Sequence, residues 1–251
     1  MKPTIPIYDA HIHLSDAYYS SHMEYILRAM SATNTFACCV STNLEDSVET
    51  LRLSRASAHV LPFVGIHPQF ANMQHITHLK SIMYNEVIAG VGEVGLDPTY
   101  PIDMKTQKEV FTTQMDMAEN MNLPVSIHSR KSLDTILDTL TSYSCRVLLH
   151  WFDGGKSGLR RAMDMGLYVS YGPLTVYASD KRRLLSLTHS DRLLVETDGP
   201  VSFSGCFCRL PAQLEFLYSV AFVAAKERNL SDADTLELLY SNVKSYLGIR
   251  R

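Results

Sequence analysis

Two histidines set two residues apart carry the first chemistry in this chain. They are His11 and His13 in the run Ile5-Pro6-Ile7-Tyr8-Asp9-Ala10-His11-Ile12-His13-Leu14. Small or apolar residues alternate there with Asp9, His11 and His13, which predicts a β-strand whose i and i+2 side chains share one face. Both imidazoles then point the same way at the strand's C-terminal end, where neutral ring nitrogens suit a metal ion. Four more residues of ligating type close other apolar runs: Glu93, His128, His150 and Asp198. Four imidazoles and two carboxylates are too many for one tetrahedral ion. They match two ions that share a bridging carboxylate. Such ions sit roughly 3.5–4 Å apart, polarise a phosphoryl or carbonyl oxygen and lower the pKa of a bound water.

These residues need a scaffold that brings strand ends together. Short apolar runs at residues 36–40, 60–66, 87–97, 125–128, 146–150, 167–171 and 192–198 follow the first strand, and helical patterns separate them. Met23, Ile26, Leu27 and Met30 form an i, i+3, i+4, i+7 stripe, and residues 44–57 predict a further helix. Thr106-x-x-Glu109 has the form of a capping box opening a long helix, with Val110, Gln114, Met117 and Met121 on one face. Ser231 is the expected N-cap of a last helix whose core stripe is Leu236, Leu239, Tyr240 and Val243. Eight strands in this alternation predict an α/β fold, a TIM-type (β/α)8 barrel, as a single domain over residues 1–251. A doubly wound open sheet accounts less well for polar residues at the ends of both the first and the last strands, because only closure makes those ends neighbours.

The 251 residues are 46% hydrophobic and 20% charged, with a net charge of -3. That is an ordinary globular composition with no transmembrane-length apolar run and no expected signal peptide, so no membrane partner is expected. Without a basic excess, a nucleic-acid substrate has to be held by metals and a local patch. Cys38 and Cys39 read as core residues, and Cys206-x-Cys208 lacks zinc-finger spacing. The five cysteines give no secreted disulfide framework, so a cytoplasmic location is the default expectation.

Taken in order, several segments resemble the TatD-type metal-dependent hydrolases, a branch of the amidohydrolase-like barrel enzymes. They are Asp9-Ala10-His11-Ile12-His13-Leu14, Gly65-Ile66-His67-Pro68, Gly92-Glu93-Val94-Gly95-Leu96-Asp97, and Leu123-Pro124-Val125-Ser126-Ile127-His128-Ser129-Arg130. His150-Trp151-Phe152-Asp153-Gly154 and Glu196-Thr197-Asp198-Gly199-Pro200 complete the set. The resemblance spans essentially the whole chain and implies divalent-metal hydrolysis, with DNase activity the commonest assignment. It implies two divalent ions (Zn, Mn or Mg), one held by His11, His13, Glu93 and Asp198, the other by Glu93, His128 and His150. Glu93 is then the catalytic bridge, and Asp198 the base for the attacking water.

Around that centre, Arg130 leaves the same strand end as His128 with a guanidinium that fits a phosphate bidentately. The alternative for Arg130 is an ion pair with Asp97. His67 is expected to donate to a phosphate oxygen, while Glu196 and Asp9 are expected to orient ligands or line the barrel. Trp151, Phe152, Tyr171 and Phe203 are candidates for stacking on bases or for packing. Residues 201–211 depart from the family pattern, being short and cysteine-containing beside the mouth, which bears on the substrate and not on the metals. DNA is the leading expected substrate. An ester, lactone or amide, including an aminoacyl-tRNA ester, is the second expectation, and a scaffold with a relic site the third. A protein partner or homo-oligomer stays open.

Overall fold

A computed structural model describes residues 5–249. Eight parallel strands form one sheet in the order of the sequence, from β1 (Ile7–Ile12) and β2 (Thr35–Val40) through β3 (Val60–Val64) and β4 (Gly90–Gly95). They continue through β5 (Val125–His128), β6 (Val147–Leu149) and β7 (Tyr168–Tyr171) to β8 (Leu193–Val195). The strands are short, rich in β-branched and aliphatic residues, and nearly all buried. That is the expected pattern where helices cover one face and a packed interior the other. The edge between β8 and β1 is bridged where the ligand-type residues lie. Asp198 N–H donates to His11 O (2.9 Å) and His13 N–H to Gly199 O (2.9 Å). Asp9, wholly buried, accepts from Thr197 N–H (3.0 Å) and Thr197 Oγ1 (2.5 Å), tying the first strand to the last. The fold is the expected TIM-type (β/α)8 barrel.

Helices α1 (Ala17–Ser20), α2 (Met23–Thr33), α3 (Leu44–Ala56), α4 (Met73–Asn85) and α5 (Met104–Asn120) alternate with the first five strands. Helices α6 (Leu133–Leu140), α7 (Lys156–Asp164) and α8 (Ser179–Leu187) follow, then α9 (Phe216–Arg228) and α10 (Asp232–Leu247). Leu79, Phe111, Ile136, Leu185 and Leu217 belong to the large apolar layer between helices and barrel. A second cluster gathers Ala10, Cys38, Val40, Phe63, Leu148, Tyr168 and Leu194 with Val243 and Tyr246 of α10. Side chains from six strands can meet only inside the ring, so this cluster fills the barrel interior.

Two local expectations are corrected. The long helix is capped by Asp103, whose carboxylate accepts from Thr106 N–H (2.9 Å) and from Thr106 Oγ1 (2.7 Å). Thr106 is thus the third helical residue, because an Asp three positions earlier is the better acceptor for the free N–H groups. The fourth strand begins at Gly90, and Val87 is 90% exposed. Ser231 caps α10 as expected, accepting from Asp234 N–H. A small hairpin of β9 (Ser202–Phe203) and β10 (Leu210–Pro211) follows β8.

Candidate active site

Glycines bring the ligand-bearing strands close. Gly95, at φ +147, lies so near β5 that a Cβ would stand 2.1 Å from His128 O, and a Cβ on Gly92 would stand 3.0 Å from Ser126 Cβ. Glu93 sits between them in β4. Its two carboxylate oxygens face different partners. Oε1 lies 2.8 Å from His128 Nδ1 and 2.7 Å from His150 Nε2, and Oε2 lies 3.5 Å from Nε2 of both His11 and His13. Asp198 Oδ1 adds a second carboxylate, 3.7 Å from His11 Nε2 and 3.5 Å from His13 Nε2. All six expected residues therefore meet in one place. The two oxygens of Glu93 face the two halves, and the His11 and His150 rings stack across them at 3.8 Å.

Three of the four rings are turned by a partner far away in sequence. His11 Nδ1 bonds Ser126 Oγ (2.8 Å), and His13 Nδ1 donates to Val40 O (2.8 Å), so both leave Nε2 facing Glu93 and Asp198. His128 is reversed. Its Nε2 bonds Asp97 Oδ2 (2.7 Å), which leaves Nδ1 on the Glu93 side. A carboxylate or carbonyl behind an imidazole fixes its orientation and raises its basicity as a ligand. His150 Nδ1 is buried without a hydrogen-bond partner, 4.0 Å from Glu196 Oε2.

The charges suit a cation. Burial alone would raise Glu93, but the neighbouring His150 and His67, together with bonds from His11 and His128, hold it well below the usual carboxylate range. Burial works against protonated His13 and His150. The Asp198 bond and the Glu93 charge outweigh it at His13, and Glu93 and Glu196 outweigh it at His150, so both are raised to about 9. His11, buried beside His150, is lowered to about 3. The carboxylates that retain protons on two imidazoles would favour a metal ion in the same place. Among the described residues, three groups have ligand atoms within 4.8 Å of one another: His11, His13 and Glu93; His11, His150 and Glu196; and His67, Glu93 and His128. Mixed imidazole and carboxylate donors of this kind fit Zn, Mn or similar ions.

His67 lies closer to the centre than a peripheral phosphate donor would. It is 5% exposed, with Nε2 3.6 Å from Glu93 Oε1 and its ring edge-on to His128. Its Nδ1 accepts from Gln69 N–H (3.1 Å), so in the neutral ring the proton is on Nε2. Burial lowers it to about 4 and keeps it neutral. Arg130 makes the ion pair held open as its alternative. Nε donates to Asp97 Oδ2 (2.7 Å), Nη2 donates to Thr99 Oγ1 (2.6 Å), and the guanidinium lies over the Tyr100 ring. Asp97 thus anchors both His128 and Arg130, a double role that its sequence position after Gly95-Leu96 did not reveal.

Glu196 and Asp9 are both fully buried. Glu196 accepts from Trp151 N–H (2.6 Å) and Ser170 Oγ (2.6 Å), so it braces the turn after β6. Asp9 braces the barrel seam. Phe152, Tyr171 and Phe203 are 1%, 2% and 2% exposed and serve packing, whereas Trp151 borders the site. A cavity of about 1170 Å³ opens over the centre, and His13, His67, Glu93, His128, His150, Asp198, Tyr100, Arg130 and Trp151 are among its walls. Phe70 and Tyr100 also line it, and neither was singled out from the sequence, since loop aromatics carry no periodic signal. Among the described residues no helix is long and apolar enough to cross a membrane.

The family described as TatD related DNase matches residues 8–248, and this chain belongs to it. Its members include metal-dependent hydrolases. An uncharacterized metal-dependent hydrolase YabD from Bacillus subtilis is 27% identical over 77% of this chain and 80% of its own. A 3'-5' ssDNA/RNA exonuclease TatD from Salmonella typhimurium is 26% identical over 77% of this chain and 79% of its own. The crystal structure of the TatD homologue YJJV from Escherichia coli superposes with a TM-score of 0.90 at 22% identity, covering 97% of this chain and 98% of that one. The fold thus rests on 97% of the chain, and the metal-dependent hydrolase class on the family match over residues 8–248 and on relatives that cover about three quarters of it.

Proposed function

We propose that the protein is a deoxyribonuclease that hydrolyses DNA phosphodiester bonds with two divalent ions. The observation that carries this is Glu93, whose two oxygens address separate histidine clusters, the geometry of a bridging carboxylate. His11, His13 and Asp198 would hold one ion through Nε2, Nε2 and a carboxylate oxygen, and His128 and His150 the other, with Glu93 common to both. When bound, the ions supply Lewis-acid charge to the phosphoryl oxygens and acidify water.

The chain's own groups do the rest. Asp198, 5% exposed and bonded through its backbone N–H to His11 O, is fixed beside the reacting position and accepts the proton of the attacking water. His67 donates through Nε2–H to a phosphate oxygen. Arg130, with Nε and Nη2 engaged, offers its positive charge at the cavity wall instead of a full bidentate fork. The relatives with nuclease names support the phosphodiester over the ester, lactone or amide alternative.

The test offers the metal-reconstituted protein end-labelled single- and double-stranded DNA beside a panel of chromogenic esters and lactones. Metal-dependent DNA cleavage supports the reading; turnover confined to the ester or lactone panel overturns it. Asp198→Asn keeps one coordinating oxygen but cannot take the proton, so it should lose about 10²–10⁴-fold in rate while still binding metal. Glu93→Gln should instead lose metal content and stability together.

A further inference from the structure

Trp151 is the only tryptophan of the chain, and the hydrolytic scheme above has no use for its side chain. It follows His150 directly and borders the cavity that holds Glu93, His128 and Asp198. Its backbone is fixed at φ +42, with its N–H on the buried Glu196 carboxylate (2.6 Å). Behind the indole stands a series of rings. Phe203 stacks on Trp151 at 5.3 Å and 25°, Phe207 meets Phe203 edge-on at 6.4 Å, and Phe207 stacks on Phe216 of α9 at 4.3 Å. Phe203 and Phe207 both come from residues 201–211, the segment that departs from the family pattern. They are 2% and 8% exposed and share a cluster with Ala212 and Trp151. The β9–β10 hairpin therefore delivers the rings that back the indole.

We propose that Trp151 is a substrate-positioning residue on which a nucleobase next to the scissile phosphate stacks, with Phe203, Phe207 and Phe216 holding the indole rigid. The proposal rests on the DNase reading of the same site. A braced aromatic face beside a phosphate-binding centre recognises a flat π-system and tolerates any base, because stacking reads no hydrogen-bonding edge. Tyr100, on another part of the wall, is already occupied by the Arg130 guanidinium at 5.2 Å and the His67 ring at 5.4 Å. Trp151 has one face on Phe203, and it lines the cavity. A base inside a duplex is already stacked on its neighbours, so this platform favours unpaired strand ends.

A lone tryptophan makes the test direct. The probe is a short single-stranded oligodeoxyadenylate with phosphorothioate linkages, added to the metal-loaded native protein excited where tyrosine does not absorb. Saturable quenching of the tryptophan emission is expected, and the same oligonucleotide annealed to its complement should quench far less. In kinetics, Trp151→Ala should raise KM for single-stranded DNA by about 5- to 150-fold, the equivalent of about 1–3 kcal/mol of stacking. Its kcat should fall much less, and a small phosphodiester without a base should be penalised least. Trp151→Phe should recover part of the KM loss. Phe203→Ala, which keeps the fluorophore but loosens its backing, should weaken the quenching.

DNA cleavage by the native protein with no quenching, or with KM for Trp151→Ala within twofold of native, overturns the proposal. Quenching by DNA with no cleavage of DNA or of the small diester supports the platform and overturns the DNase reading instead. Should Trp151→Ala fail to fold, the native quenching and the Phe203→Ala comparison still decide.

Discussion

Ser126→Ala separates the orientation of a ligand from its presence. Ser126 and His11 are both fully buried, and Ser126 Oγ lies 2.8 Å from His11 Nδ1. With Nε2 turned toward Glu93 and Asp198, Nδ1 shares a hydrogen bond with that hydroxyl. Alanine retains the Cβ that packs against Gly92, so the close approach of β4 and β5 survives. What is lost is the partner of a buried ring nitrogen, which costs about 1–3 kcal/mol when nothing replaces it. At about 2–4 °C per kcal/mol for a chain of this size, the metal-free protein should melt a few degrees lower. Loss of an orienting partner behind a ligating histidine typically weakens metal affinity about 10- to 100-fold, which is about 1.4–2.7 kcal/mol. Competition against a chromogenic chelator measures the affinity, and scanning calorimetry of the metal-free protein measures the stability. Thr188→Val removes another buried hydroxyl, bonded to Tyr171 Oη at 2.9 Å and not part of the cavity wall, and should lose stability without losing metal affinity. Metal affinity within twofold of native in Ser126→Ala would refute the orienting role.

Chelation should lower the melting temperature of the metal-loaded protein, since ions bound only by the folded state at 100 times their Kd add about 2.7 kcal/mol. Differential scanning fluorimetry with and without Zn or Mn reads this, and an unchanged curve together with no metal by mass spectrometry counts against the site. Arg130→Ala should leave metal content intact and penalise a phosphodiester far more than a neutral ester, because only the former needs a counter-charge; equal losses would confine Arg130 to anchoring beside Asp97. Phe111→Ala, at a fully buried position between α5 and the barrel, should cost about 3–5 kcal/mol in urea unfolding without changing metal affinity. A cost below about 1 kcal/mol would mean that the layer repacks.

The barrel was legible because its strands are apolar runs, and the five that end on a ligand-type residue, β1, β4, β5, β6 and β8, bring those residues to the site. Ring orientation was not. Whether Nδ1 or Nε2 faces the metal position depends on Ser126, Val40 O and Asp97, and no local pattern near His11, His13 or His128 names those partners. The ion pair of Arg130 was one of two readings because a charged residue two positions past a strand end can turn to the loop or to the cavity. Thr106 misled because a hydroxyl with Glu three residues later fits the capping pattern, while Asp103, lacking that sequel, captured the helix start. Within residues 201–211, packing was one of two readings of Phe203, while Phe207, between two exposed cysteines, gave no sign that it turns inward.

The seam between β1 and β8 has a bearing on how the protein is made. Asp9 waits for Thr197, 188 residues later, and His11 and His13 wait for Asp198. On a ribosome the first half of the proposed metal centre leaves the exit tunnel long before its completing carboxylate, so no amino-terminal fragment carries a finished site. A product truncated anywhere before the last strand is a barrel with an open edge and lacks the proposed base. For a protein proposed to cut nucleic acid, activity is thereby reserved for chains whose synthesis has passed the eighth strand.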